Sequence, residues 1–279
     1  MVQEKVILGL RDKHFAHTHS ASNGDLPSPG FGFEWDRVGR QDIMVFTDTS
    51  LEEVHNYPDS YNVAWMLESP TVTKRIYRGI RRNHSAFDRI LTFDRKLLES
   101  TSKAKFNPFG GTWIPFDEWQ IHKKKNNISI IASHKNDLKG QKLRHRIVQK
   151  FGDSLDAILG YGYHPVNNKL EGLRDYRFSI AVENCRADYY FSEKLIDCFA
   201  TGTIPVYWGC LSIDKFFDVR GMACFKSLRQ LSKLLPKLNK EFYMGRLSSV
   251  KKNFEIAQRY KMTESFVFEN LQDVLGFSA

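Results

Sequence analysis

The residues with the clearest chemistry lie between Glu183 and Lys194. An apolar run ends at Glu183 and Asn184, which is typical of a buried strand that ends at the edge of a sheet. Ser192 is a suitable N-cap for a following helix, so free backbone N–H groups would face that edge. Because a helix N-terminus attracts anions and Lys194 adds a positive charge there, the stretch predicts a phosphate-binding site. The alternative is ordinary helix capping, with Glu193 compensating a solvated Lys194.

The same stretch resembles the donor-binding signature of the α-1,3-fucosyltransferase family, whose members are inverting glycosyltransferases of GT-B architecture. Ser192 stands where threonine is usual, and either hydroxyl can cap a helix. The resemblance implies a GDP-fucose donor whose ribose is held by Glu193 and whose diphosphate is held by Lys194, with Asn184 and Tyr190 also lining the donor site. The matching elements are Arg177-Phe178, Glu183-Asn184, Tyr190-Phe191-Ser192-Glu193-Lys194 and Ile204-Pro205-Val206-Tyr207-Trp208-Gly209.

Two further segments extend the resemblance, which spans residues 60 to 210 in all. Residues 61–70, YNVAWMLESP, predict a buried strand that delivers Glu68 at its end. The family carries a similar segment, which implies that Glu68 is the catalytic base. Residues 128–151 predict a strand, a loop and a basic helix start, in which Arg144 best matches the family's phosphate-binding arginine. Arg146 is the alternative, because the length of the loop allows both alignments.

The sequence predicts transfer without a metal or a cofactor. It contains no Asp-x-Asp pair, whereas glycosyltransferases of the GT-A type need such carboxylates to hold a divalent cation on the donor diphosphate. Arg144, Lys194 and a helix N-terminus would neutralise that charge instead. His14, His17 and His19 are the candidate metal ligands, but their spacing is not that of a zinc helix, and we favour histidines on the surface or in contact with the acceptor.

Strands and helices alternate along the chain, so we expect an α/β protein. The resemblance implies GT-B architecture, with two Rossmann-like domains that face a central cleft. We expect an acceptor-binding domain over residues 1–121 and a donor-binding domain over residues 122–262, with a basic linker at residues 122–127. A C-terminal helix over residues 263–279 could pack back on the first domain. The long Gly- and His-rich segment 12–39 predicts an ordered loop over the acceptor cleft, with ordinary packing as the alternative.

The positive charge of the chain is unevenly distributed. The formal net charge is +9, and residues 226–261 hold ten lysines or arginines against two glutamates. The helical pattern of this segment favours a solvated helix face. An anionic acceptor, either nucleic acid or an acidic glycan, is the other interpretation.

Composition and resemblance together predict a soluble, cytoplasmic enzyme, in the host cytoplasm if the protein is viral. With 279 residues the chain is long enough for two domains, and it has no apolar run of membrane-spanning length. The predicted function is inverting sugar transfer to an acceptor hydroxyl, most simply that of a glycan. Two alternatives stay open: a glycosyltransferase that modifies hydroxymethylated bases of viral DNA from another donor, and a non-catalytic module that binds a nucleotide sugar.

Overall fold

The computed structural model describes residues 6–13 and 33–275. The chain forms two compact units, one of Met1–Phe109 with Met262–Ala279 and the other of Gly110–Lys261. The expected boundary after residue 121 therefore falls inside the second unit. The reason is that residues 110–113 bond to that unit's own elements: the backbone N–H of Gly111 donates to the Tyr260 carbonyl, and that of Trp113 donates to Asp197.

The first unit is a six-stranded parallel sheet in the order β2-β1-β3-β4-β5-β6. A 3₁₀ helix, Asp48–Asn56, follows β3 directly. The strands are β1 (Val6–Arg11), β2 (Phe33–Asp36), β3 (Ile43–Thr47), β4 (Tyr61–Trp65), β5 (Arg89–Thr92) and β6 (Ala104–Phe106). The helices are α1 (Lys74–Arg82), α2 (Arg95–Ser100) and, from the C-terminal segment, α8 (Glu264–Leu271).

Both faces of this sheet are buried, because alternate residues of one strand point to opposite sides. Val45 packs on one face together with Val267 of α8. Phe46, the next residue, packs on the other face with Tyr77 of α1. Continuous apolar strands are what a parallel sheet covered on both faces requires.

The second unit is a five-stranded parallel sheet in the order β11-β10-β9-β7-β8. Parallel neighbours need crossover connections, which the helices supply. The strands are β7 (Asn126–Ile131), β8 (Ala157–Leu159), β9 (Tyr176–Val182), β10 (Ile204–Trp208) and β11 (Ala223–Cys224). The helices are α3 (Lys139–Phe151), α4 (Glu193–Ala200), α5 (Leu228–Leu234), α6 (Lys240–Met244) and α7 (Leu247–Ala257).

Two sequence-based expectations are corrected. The expected linker at residues 122–127 runs into β7, which begins at Asn126. Part of the expected loop 12–39 is instead the edge strand β2, where Phe33 is buried and packs against Phe268. The remainder of that segment, including His14, His17 and His19, lies outside the described residues.

The lysine-rich segment forms an amphipathic helical surface. Leu231, Leu235 and Leu238 are buried in the core of the second unit, whereas Lys233 and Lys237 are exposed. This is the solvated helix face that the sequence favoured. In the described part of the chain, no helix is long and apolar enough to cross a membrane.

Candidate functional site

A cavity of about 260 Å³ lies at the C-terminal edge of the second sheet. Its wall includes the last residues of β9, and its polar side chains come from α3, α4 and a short 3₁₀ helix, Lys169–Gly172. Ligands bind at this edge in open α/β sheets, because connecting helices begin there. The charged residues that line the cavity are Arg144, Lys169, Glu193, Lys194 and Asp197.

Arg144 reaches the cavity because α3 begins very close to the end of β9. The backbone N–H of Gly140 donates to the carbonyl of Asn184 at 3.1 Å. A Cβ atom at residue 140 would lie 1.8 Å from the carbonyl oxygen of Glu183, so only glycine allows this approach. One turn later, Arg144 donates from Nη2 to the side-chain oxygen of Asn184 at 3.2 Å.

Arg144 retains capacity to bind an anion. Within the described residues its Nε is buried and has no hydrogen-bond partner. Burial lowers the pKa of Arg144, and the nearby Glu183, Glu193 and Tyr190 act in the opposite direction. An arginine side chain remains charged in proteins. A buried, charged donor without a partner is costly, so the guanidinium is well suited to donate a hydrogen bond to a phosphate oxygen.

Two lysines and two carboxylates form a connected network beside Arg144. Lys169 Nζ lies 3.1 Å from both Glu193 Oε1 and Asp197 Oδ2, and Lys194 Nζ lies 3.0 Å from Glu193 Oε1. Burial would raise the pKa of Glu193, but the two ammonium groups outweigh it and hold that pKa well below its usual range. Glu193 is therefore a carboxylate, able to accept hydrogen bonds from hydroxyl groups.

Asp197 connects the charged network to residues 112 and 113, near the start of the second unit. Its Oδ1 accepts from the Thr112 hydroxyl and from the Trp113 backbone N–H, both at 2.8 Å. Burial raises the pKa of Asp197, and the charge of Lys169 opposes that rise. The carboxylate of Asp197 therefore accepts three hydrogen bonds, one of them from Lys169. Since Lys169 also donates to Glu193, two carboxylates hold its ammonium group in place.

The remaining residues of the signature stretch contact or lie near the charged groups that line the cavity. Ser192 caps α4, and its hydroxyl also donates to Glu183 Oε2 at 2.6 Å. Asn184 is half-buried and accepts from Arg144. Tyr190 is only 1% exposed. Neither Asn184 nor Tyr190 is among the residues that line the cavity.

Glu68 lies in the first unit, shortly after the end of β4, and is half-buried. Its backbone is held from two directions. The backbone N–H groups of Leu67 and Glu68 donate to the carboxylate of Asp48 at 3.2 and 3.1 Å, and the Tyr77 hydroxyl donates to the carbonyl of Glu68 at 2.9 Å. Asp48 itself is buried and takes a φ of 36°, a left-handed conformation that few residues with a Cβ adopt.

The acidity of Asp48 gives a testable pH dependence. Burial, together with the charge of Glu68, raises its pKa from 3.8 to about 7, although the two backbone N–H bonds act in the other direction. The folded protein then keeps a proton that the unfolded chain has lost. Between about pH 4 and pH 7, rising pH should therefore lower the free energy of unfolding, by at most about 1.4 kcal/mol per pH unit.

Asp48→Asn removes this titration. Urea denaturation at several pH values should show that the variant gains stability relative to the wild type as the pH rises from about 5 to 7. Parallel pH profiles for the two proteins would contradict the assigned pKa.

A match to a known protein family shows which family the chain belongs to. The family described as glycosyltransferase family 10 (fucosyltransferase), C-terminal part, matches residues 121–272. The chain belongs to this family. Membership in family 10 confirms the resemblance drawn from the stretch that contains Glu183-Asn184 and Glu193-Lys194.

Individual relatives agree with family 10 and show its fold. An α-(1,3)-fucosyltransferase from Helicobacter pylori is 42% identical over 67 residues, which are 24% of this chain and 13% of that protein. Two solved structures of α1,3-fucosyltransferase, with GDP and with GDP-fucose, match with TM-scores of 0.54 and 0.51 and identities of 17% and 18%. They cover 82% and 81% of this chain, and 81% and 80% of theirs.

A structure of an α-glucosyltransferase with UDP and a 13-mer DNA matches with a TM-score of 0.53 at 13% identity. The match covers 84% of this chain and 79% of that one. Together these neighbours confirm the α/β, GT-B fold of the family 10 chain.

Sequence reasoning missed two members of the charged network, Lys169 and Asp197. Asp197 could have been found, because it follows Glu193 by one helical turn and so lies on the same helix face. Nothing in the local sequence indicated Lys169, since it begins a short 3₁₀ helix that lies 24 residues before Glu193. No group of three or more potential metal ligands occurs in the part of the chain that the structure describes.

Proposed function

We propose that the chain transfers fucose from GDP-fucose to an acceptor hydroxyl by a single in-line displacement, without a metal or a cofactor. The observation that carries this proposal is the cavity at the sheet edge, which is lined by Lys194, the ionised Glu193 and Arg144, whose Nε has no hydrogen-bond partner among the residues that the structure describes. Two cations suit a diphosphate, and a carboxylate suits the two hydroxyls of a ribose. Membership in family 10 supports fucose as the sugar.

In this mechanism Arg144 and Lys194 stabilise the negative charge that develops on the departing diphosphate. Glu193 binds the donor ribose, and Lys169 keeps Glu193 ionised. Asn184 orients Arg144 through the bond to Nη2. Tyr190 is buried and close enough to affect the pKa of Arg144, so its proposed role at the donor site acts through Arg144.

Glu68 is the proposed catalytic base. It removes the proton of the acceptor hydroxyl as that oxygen attacks the anomeric carbon, which passes through an oxocarbenium-like transition state. The carboxylate of Asp48 and the hydroxyl of Tyr77 bond to the Glu68 backbone, so the position from which the Glu68 side chain extends is fixed. The single displacement inverts the configuration of the sugar.

A glycan is the proposed acceptor, and DNA is the second candidate. DNA is kept as a candidate because of the net charge of +9 and the likeness in fold to an α-glucosyltransferase solved with DNA. A binding module without catalysis is the third candidate, and the presence of Glu68, Arg144, Glu193 and Lys194 argues against it.

The first test is a panel of GDP- and UDP-sugars, incubated with the purified protein in the presence of a chelator. Thermal stabilisation and slow donor hydrolysis would be measured for each sugar. Stabilisation by GDP-fucose above all other sugars supports the proposal. Preference for a UDP-sugar would overturn the donor assignment, and DNA with hydroxymethylated bases would then be the first acceptor to test.

Replacing Lys194 by alanine should weaken the binding of GDP by about tenfold to a hundredfold, because a charge-assisted bond to phosphate contributes about 1.5–3 kcal/mol. Titration calorimetry measures this affinity directly. Lys233→Ala, on the solvated face of α5, is the matched control and should leave the affinity unchanged. Unchanged affinity in Lys194→Ala would remove Lys194 from the phosphate site.

A further inference from the structure

A second concave pocket, of about 680 Å³, lies in the same unit and shares no lining residue with the donor cavity. Three separate stretches of chain form its wall: α3, the loop after β9, and the stretch that leads into α5. Trp208, at the end of β10 and only 4% exposed, lies at its base. Six of its ten lining residues are cationic: Lys139, Lys142, Arg146, Arg186, Lys226 and Arg229.

The positive charges of this basic pocket are not neutralised by the protein. None of the lining residues is acidic. Within the described residues, none of the six cations forms an ion pair; Arg186 instead lies over the ring of Trp208, 5.9 Å from its centroid. The six cations repel each other, and a bound anion would attract each of them and so offset that repulsion.

The types of side chain indicate which anion fits. Arg146, Arg186 and Arg229 each present a planar fork that can bind two oxygen atoms of one phosphate group. The lysines add rotatable donors around them. Because α3 and the end of β10 are regular elements, the backbone that carries Lys142, Arg146 and Trp208 is fixed before a ligand arrives.

We propose that the basic pocket binds a compact ligand with two or more phosphate groups, at a site separate from the donor cavity. The cations converge on one concavity whose volume is typical of small-molecule sites, about 300–1,000 Å³. A nucleic-acid backbone would instead need a longer track of charge, and single-stranded bases would need exposed aromatic rings. The only aromatic residue that lines this pocket, Trp208, is buried.

The test uses inorganic tripolyphosphate as the probe, titrated by calorimetry into the full chain at about physiological salt. Saturating GDP is present throughout, so that the donor cavity is occupied. The pocket variant is Lys142→Gln/Arg146→Gln/Arg229→Gln. The control variant, Lys233→Gln/Lys237→Gln/Lys251→Gln, loses the same charge from exposed positions outside the pocket.

We expect the wild type to bind tripolyphosphate and the pocket variant to bind it at least about a hundredfold more weakly, because three charge-assisted contacts are lost and each is partly screened at this salt concentration. The control variant should stay within about threefold of the wild type, since distant exposed charges are screened. Circular dichroism and a cooperative thermal unfolding transition establish that each variant is folded.

Three results would overturn the proposal. One is the absence of tripolyphosphate binding by the wild type. Another is an equal loss in the pocket and control variants, which would mean attraction by net charge alone. The third is a short DNA duplex whose binding needs the pocket cations while tripolyphosphate does not bind, which would identify the occupant as a nucleic acid. None of these results depends on fucosyl transfer.

Discussion

The Glu68→Gln protein should transfer fucose about 10²–10⁴-fold more slowly than the wild type while it binds GDP-fucose with unchanged affinity. A general base contributes about this factor, and glutamine cannot accept the proton of the acceptor hydroxyl. The substitution preserves the shape of the side chain. It also leaves the anchors of this loop in place, because Asp48 and Tyr77 bond to the backbone of residue 68 and not to its carboxylate.

Glu99→Gln is the matched control for this experiment. Glu99 lies on α2 of the same unit, is 61% exposed, and forms an ion pair with Arg95 on the helix surface. Its replacement should leave transfer, donor affinity and thermal stability close to the wild-type values. Near-normal turnover of Glu68→Gln would remove Glu68 as the base, and a parallel loss of donor affinity would show that the residue is structural.

The Lys169→Met protein should lose about 3–5 kcal/mol of its free energy of unfolding. Lys169 lies between Glu193 and Asp197, and Asp197 is 1% exposed. Methionine fills similar space but leaves Asp197 without its counter-charge, and leaves only Lys194 beside Glu193. Two neighbouring carboxylates in this setting are costly unless one takes up a proton. Urea denaturation near neutral pH measures the loss.

A surface lysine provides the comparison for Lys169. Lys125 pairs with Asp175 at 3.3 Å but is 68% exposed, so Lys125→Met should cost only about 0–1 kcal/mol. Adding Asp197→Asn to Lys169→Met should recover part of the lost stability, since asparagine can still accept from Thr112 and Trp113. A cost for Lys169→Met no larger than that for Lys125→Met would contradict the buried network.

The strands and helices that contain the signature could be predicted from local pattern. The helix expected after the N-cap Ser192 is α4, which begins at Glu193, and the strand expected to end at Glu183 and Asn184 is β9, which ends at Val182. The physical reason is that apolar periodicity and an N-cap act within a few residues of chain. The edge strand β2 was missed, because a short strand among glycines and prolines lacks a clear alternation.

The sequence by itself determined the family and the α/β class, because apolar strands, helix starts and the motif between Glu183 and Lys194 are local features of the chain. The donor-binding roles of Arg144, Asn184, Tyr190, Glu193 and Lys194 stay predictions. The tertiary structure alone decided what surrounds them. Lys169 meets Glu193 and Asp197, Asp48 meets the Glu68 backbone, and the six cations of the basic pocket meet each other across long stretches of sequence. These contacts between residues distant in sequence depend on how the crossover helices pack against the strands, and local periodicity does not predict that packing.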